Sequence, residues 1–236
     1  MVQEFKAGHL HREVKDMDNI IIVGSSGHAK VVIDIVQQEG RYNIIGLLDR
    51  YRDVDEQTLG YSILGKEEDL PKLRKTYTLK GVLIAIGDNY VRSSVAKNIC
   101  DICPDLQYVS AIHPKASVAT DVSLGEGTVV MAGVSVNPGS SVGRLCILNT
   151  HSSLDHDSIL ENYASLAPHA TTGGNCRIGK YTAICMGAIL KHGVHVGEHS
   201  VIGAASLVMN PIDPFAVAYG IPAKIVRKRK QGEKYL

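Results

Sequence analysis

The 236-residue chain carries 25 basic against 24 acidic residues, a formal charge of +1, which gives a polyanion such as DNA nothing to recognise. Ten Tyr, two Phe and no Trp argue against a nucleic-acid stacking platform and against a large aromatic core. Five cysteines in no framework spacing fit a reducing compartment, and no apolar run reaches the ~18 residues of a membrane span, so a cytoplasmic protein is expected. Residues 1–18 read as a polar leader with room for a short helix, and they lack the apolar core of a signal peptide.

Residues 19–108 alternate strand and helix patterns. An apolar run from Asn19 ends at Val23. A turn, Gly24-Ser25-Ser26-Gly27-His28, follows, and then an amphipathic stretch to about Glu39. A second strand, Ile44 to Leu48, ends in Asp49-Arg50, and a helix is expected at Lys66 to Lys75. A third strand, Val82 to Ile86, ends in Gly87-Asp88-Asn89 before a helix to about Cys103. Such alternation predicts a small Rossmann-like α/β domain with a parallel sheet, whose ligand lies at the carboxyl ends of the strands. The candidates there are Gly24, Ser26, Gly27, His28, Asp49, Arg50, Gly87 and Asn89. Helix N–H groups at Ser26 to His28 would hold a phosphate, and Asp49 would accept a bond from a ribose or base. The implied ligand is a nucleotide or nucleotide-sugar. The Gly-x-x-Gly loop lacks the full dinucleotide fingerprint, and the same pattern also serves as a plain tight turn. Cys100 and Cys103 close the last helix, where burial on one face is a better reading than redox chemistry, since reactive pairs sit at helix starts.

After residue 108 the period becomes six. From Ile112 to Val208 every sixth residue is aliphatic, with Thr172 the one exception. Four residues after each stands a small or β-branched residue, and Gly often follows directly, as at Gly125, Gly143, Gly173, Gly179, Gly197 and Gly203. Six matches neither a helix nor a lone strand. It fits short strands joined by regular turns, with the aliphatic side chain inward, the small residue in a tight corner, and Gly supplying positive φ. The boundaries drawn are 109–212 for this repeat domain and 213–236 for a basic C-terminal tail.

For a general base, His is the natural residue near neutral pH. Among ten histidines, His156 is singled out by its flanking carboxylates, Asp155 and Asp157, either of which would orient the ring. A solvated repeat residue is the plain alternative. His192 and His195 lack a third ligand at metal spacing, so no metal is expected.

The segments IIIVGSSGHAKVV, GLLDR, AIGDNYVR and GIPAKIV, together with the hexapeptides and Asn149-Thr150-x4-Asp155-His156-Asp157, resemble the bacterial sugar acyltransferases of the sialic-acid O-acetyltransferase / bacillosamine-pathway N-acetyltransferase family. The resemblance implies an all-β left-handed parallel β-helix after the α/β domain, a homotrimer, and acetyl-CoA as donor between adjacent β-helices. It implies a nucleotide-linked amino sugar as acceptor, held by the N-terminal domain, and His156 with Asp157 as the catalytic pair. The family motif usually has Glu where this chain has Asp157. Gly174 would offer an N–H to the thioester oxygen. Met186, Gly187 and Ala204 would wall the pantetheine channel, and Lys224 would meet the CoA phosphates. Ser165 stands where many relatives have a donor-contacting His. The rival functions are O-acetylation of sialic acid or another sugar hydroxyl, and a non-catalytic scaffold or nucleotide-sugar sensor. A carbonic-anhydrase-like protein would need three metal-binding His that the pattern does not supply.

Overall fold

The computed structural model describes residues 17–235; most of the expected polar leader lies outside them. The first domain contains β1 (Asp18–Val23), α1 (Gly27–Glu39), β2 (Tyr42–Leu48), β3 (Gln57–Thr58), β4 (Tyr61–Gly65), α2 (Leu70–Tyr77), β5 (Gly81–Ile84), α3 (Asn89–Ile102) and β6 (Gln107–Tyr108). Their sheet runs β3-β4-β2-β1-β5-β6, with parallel pairing except for the short β3–β4 hairpin. Ile20, Ile21 and Ile22 of β1 are all fully buried, as expected of a central parallel strand covered on both faces. α1 buries Ala29, Val32, Ile33 and Val36, spaced as one helical face, and ends at Gly40 in the left-handed region. The β3–β4 hairpin was not expected, since a two-residue strand leaves no alternation to read. Cys103 is buried but Cys100 is exposed, so the expected shared burial holds for only one of the two.

From Ala111 onward the chain winds as a left-handed parallel β-helix. Each two-residue strand pairs with the strands 18 residues before and after it: Val129–Val130 lies between Ala111–Ile112 and Ile147–Leu148. Three parallel stacks result. The aliphatic column points inward and is buried from Val130 to Val208. The small-residue column is also buried from Thr128 onward, and its polar members bridge coils, save Ser152, whose Oγ has no partner among the described residues. Thr128 Oγ1 accepts from Cys146 N and donates to Gly143 O, and Ser140 Oγ accepts from Ser158 N and donates to Asp155 O. These bonds let hydroxyls sit in the core without a desolvation penalty.

The role assigned to the glycines needs correction. Positive φ falls three residues after each aliphatic position, at every sixth residue from Gly127 to Ala205, and includes Leu145, Tyr163 and Tyr181. The glycines directly after the aliphatic residue answer a different need. A Cβ at Gly143 would lie 2.6 Å from Asn162 N, and one at Gly179 2.5 Å from Glu198 N. They are glycines because the next coil passes too close for a side chain. The strained bulky positions stack on one another: Tyr163–Tyr181, Tyr181–His199 and His199–Phe215 centroids lie 5.1, 4.4 and 4.8 Å apart. Such contacts offset the cost of left-handed backbone.

The expected tail is also structured. Ala216–Gly220 pairs parallel with Val201–Ile202 and folds back through a hairpin to Ala223–Lys228, extending the first stack. Arg227 pairs with Glu233 at 2.6 Å, and the Arg229 guanidinium lies over the Tyr235 ring.

Candidate active site

His156 sits on a corner between two stacks, in vertical register with Pro138, Gly174 and His192 of neighbouring coils. Its Nδ1 lies 2.8 Å from Asp157 Oδ2, and its side chain is 49% exposed. The Asp157 bond raises the imidazole pKa above its usual 6.5; desolvation opposes the shift and the Asp155 charge adds to it. Asp155 is committed elsewhere: its Oδ1 accepts from Asn137 Nδ2 at 2.6 Å and from the His156 N–H at 2.8 Å. Of the two carboxylates left open by the sequence, Asp157 is the one bonded to the ring. Asp157 has φ 56°, and its N–H donates to Pro138 O at 3.0 Å.

Gly174 lies directly against the opposite side of the imidazole. A Cβ there would come 2.3 Å from His156 Nε2, so only Gly leaves the ring its position. The Gly174 carbonyl accepts from Gly193 N, while its N–H has no acceptor among the described residues. A ring nitrogen thus faces the backbone of a glycine whose N–H has no acceptor among the described residues, and such an N–H can serve a developing oxyanion.

The other donor-side candidates divide. Met186, Gly187 and Ala204 lie on the adjacent corner, across the stack carrying Thr171, Ile189 and Leu207. Met186 is 61% exposed, and a Cβ at Gly187 meets nothing within 4 Å. Lys224 is exposed on the C-terminal hairpin. Ser165 is a correction: it is buried under α3, and its Oγ accepts from Asn89 Nδ2 at 3.1 Å. It faces the α/β domain of its own chain, not the His156 corner.

The nucleotide-side candidates divide as well. At the α1 N-terminus, Ser26 makes no capping bond and no acidic residue fills the first turn, so the first N–H groups are open to an anion. A Cβ at Gly27 would meet nothing, whereas one at Gly24 would sit 2.7 Å from Ala85 O; Gly24 serves the close approach of chain segments. His28 Nε2 is buried and unpartnered, and burial, followed by Arg92, pulls its pKa down to about 4. Asp49 accepts from Ser25 Oγ at 2.5 Å and from Tyr51 N at 2.9 Å. Arg50 is turned away onto Glu67 and Glu68. In its place stands Arg52, which the sequence reading missed: it donates to Thr58 Oγ1 at 2.6 Å beside Ser25 and pairs with Glu56. Its signal was a cation three residues beyond Asp49 in the same strand-end loop.

Gly87 and Asn89 are further corrections, because both serve the domain junction. Asn89 is 1% exposed, and its amide donates to Ser165 Oγ, Tyr181 O and Thr182 O. Arg92, also overlooked and 1% exposed, spends all five donors on Leu145 O, Ile86 O, Gly87 O, Tyr163 O and Asn89 Oδ1 at 2.7–3.0 Å. Among the described residues no cluster of three metal-ligating side chains occurs and no helix is long and apolar enough to cross a membrane.

An α/β domain docked on a hexapeptide β-helix, with a His–carboxylate pair beside a bare glycine, defines a two-domain hexapeptide-repeat protein of the acyltransferase type. Residues 19–99 match the PglD N-terminal domain. A His-to-Ala variant of GDP-perosamine N-acetyltransferase from Caulobacter crescentus, solved with CoA and GDP-perosamine, is 34% identical. It superposes with a TM-score of 0.84 over 89% of this chain and 97% of that one. The acetyltransferase domain of PglB from Neisseria gonorrhoeae, solved with acetyl coenzyme A, is 28% identical with a TM-score of 0.83, over 89% and 100% of the two chains. UDP-N-acetylbacillosamine N-acetyltransferase of Bacillus subtilis is 31% identical over 49% of this chain and 52% of its own length. The chain thus spans about half the length of the curated relatives it matches. It belongs to the bacterial sugar acetyltransferase family of the GDP-perosamine and bacillosamine-pathway N-acetyltransferases.

Proposed function

We propose that the protein transfers an acetyl group from acetyl-CoA to the amino group of a nucleotide-linked amino sugar, of the UDP-4-amino-sugar type, with His156 as general base. The observation that carries this reading is His156 held by Asp157 at 2.8 Å while Nε2 faces the bare backbone of Gly174. The sugar amine attacks the thioester carbon, and Nε2 takes the proton the nitrogen loses. The Gly174 N–H stabilises the oxyanion. Collapse breaks the C–S bond, and the imidazolium returns its proton to the departing CoA sulfur. Asp157 keeps Nδ1 protonated and steadies the charged ring.

The nucleotide would lie along the ends of β1 and β2, its phosphates on the α1 N-terminus and its ribose or base near Asp49 and Arg52. His28 Nε2 is a buried nitrogen that such a ligand would satisfy. The relatives named for GDP-perosamine and UDP-N-acetylbacillosamine support this class of acceptor. Met186 and His156 lie on different corners of one chain, so both can border one pantetheine channel only if it runs between two copies. A homotrimer answers that need, and the small outward Ser117, Ser135, Ser153 and Thr171 give a flat face for close approach. The five unpaired cysteines suit the cytoplasm.

The test is thiol release from acetyl-CoA against UDP- and GDP-linked amino sugars, with free sialic acid included. Release with a 4-amino nucleotide-sugar is expected. Release with sialic acid alone would move the chemistry to O-acetylation, and failure to bind acetyl-CoA would remove the enzymatic reading.

A further inference from the structure

Throughout the β-helix one backbone bond repeats. The residue just after each aliphatic position donates its N–H to the carbonyl of the aliphatic residue in the next coil. Asn137 donates to Leu154, Gly143 to Leu160, Asn149 to Leu166, Glu161 to Ile178, and Ala167 to Ile184, all at 2.7–3.0 Å. At one coil the rule breaks. Asp155 N donates instead to the side-chain hydroxyl of Thr172, at 2.9 Å. Strand pairing narrows at the same place: Ser153 pairs with Thr171, but Leu154 and Thr172 do not pair, whereas Val136 and Leu154 one coil earlier do. Thr172 is also the one residue that interrupts the aliphatic column, and it is 3% exposed. Valine has nearly the same shape. A hydroxyl in the core is justified by its bond rather than its volume.

That bond closes immediately before His156. We propose that Thr172 is a positioning residue for acyl transfer: its hydroxyl captures the Asp155 amide, pulls that amide out of the regular ladder, and so sets the turn that presents His156 to Asp157 and Gly174. This rests on the reading of His156 as the base. The rest of the turn is tied to the displaced amide. Asp155 Oδ1 accepts the His156 N–H, Asn137 holds the same oxygen, and Asn175 N donates to His156 O at 2.9 Å. With a side chain that cannot accept, the Asp155 N–H would swing back to the residue-172 carbonyl, as in every other coil. The His156–Asp157 bond, which depends on that turn, would loosen. The titratable groups facing the ring are Asp155, Asp157 and His192, the last with its centroid 6.1 Å away.

The experiment compares Thr172→Val and Thr172→Ser in the full chain. Three quantities are read: Tm, kcat with both KM values, and the His156 titration midpoint by imidazole NMR. Thr172→Val completes the aliphatic column, so its Tm should equal or exceed that of the parent. Its kcat should fall roughly 10- to 100-fold, the effect of small misplacement at a reacting centre, with both KM values within about twofold. Its His156 midpoint should drop toward 6.5. Thr172→Ser keeps the acceptor and should recover most of kcat and the parent midpoint. A Thr172→Val protein with parent kcat and parent midpoint overturns the proposal. So does a folded Thr172→Ser protein as impaired as Thr172→Val, because volume and not the hydroxyl would then matter. If Thr172→Val does not fold, Thr172→Ala, which equally lacks an acceptor, is read in its place: a midpoint moved toward 6.5 is expected, and a parent midpoint overturns the proposal. A parent chain that transfers to no acceptor would overturn the acyltransfer reading, while the titration comparison would still judge Thr172.

Discussion

At the residue scale, the proposed chemistry rests on one imidazole and its two neighbours. Replacing His156 by Asn keeps a polar group but removes the proton acceptor, and kcat should fall by about 10²–10⁴-fold, the usual worth of general-base catalysis. An unchanged oligomeric mass and unchanged acetyl-CoA binding would show that only chemistry was lost; near-parent turnover would remove His156 from the mechanism. Asp157 raises the imidazole pKa, so the neutral base forms only above that raised value, and kcat/KM should climb with pH through a limb lying above 6.5. Asp157→Asn removes the bond that causes the shift. The limb should then move to lower pH while the plateau rate falls, and a limb that stays in place would assign it to another group. Gly174→Ala would drive a methyl into Nε2, so kcat should drop with little change in Tm. The candidate pair was legible because His beside carboxylates stands out in a regular repeat. Thr172 was visible only as an unexplained gap in a column. Its partner is the backbone N–H of Asp155, seventeen residues away, and no local pattern records that.

At the element scale, the period of six was readable because a two-residue strand fixes the inward direction once per turn, and the same residue type must recur wherever coils stack. The turn chemistry was not. The left-handed position accepts Gly, His, Asp, Asn and even Tyr, since stacking between coils compensates for backbone strain, so residue identity does not mark it. The α/β elements were found within a few residues of their ends because apolar runs and helical faces are local signals. At the start of α1, His28 has a depressed pKa, near 4 against 6.5 in a free chain. Between those values the unfolded chain binds a proton that the folded one refuses. Stability is therefore complete above pH 6.5 and is lost as pH falls toward 4, by up to about 3 kcal/mol. His28→Asn should flatten the pH dependence of the urea midpoint across that window. An unchanged slope would mean that His28 is protonated in the native state.

At the scale of the molecule, the question is how an α/β domain stays fixed on a β-helix, since the nucleotide end and the acyl end must act on one substrate. Both faces of the sheet share in the answer. The α1 side is continuous with the β-helix interior, and the α3 side reaches Leu145 and Tyr163. Between them Arg92 is buried without a carboxylate partner, and desolvation lowers its pKa. What keeps a charged guanidinium there is geometry: its donors meet two carbonyls of the strand-end loop, two of the aromatic corner, and Asn89. Of Gly87 and Asn89, expected from the sequence to touch ligand, Asn89 is buried in this contact and Gly87 lends it a carbonyl. A sequence cannot reveal that, because Leu145 and Tyr163 lie more than fifty residues from Arg92. Arg92→Met would strand five acceptors in a dry junction. At about 1–3 kcal/mol per orphaned group, even partial hydration should cost at least about 3 kcal/mol. Arg92→Lys should recover little of it, having three donors without the planar fork. The expected signature is a lower urea midpoint, with amide exchange rising first around residues 86–92 and 145–163. The β-helix coils beyond the junction would remain protected, because each pairs with the coils before and after it. Global loss of protection in one step would instead mean that the two domains fold as one unit, with Arg92 inside a shared core and not at a separable joint.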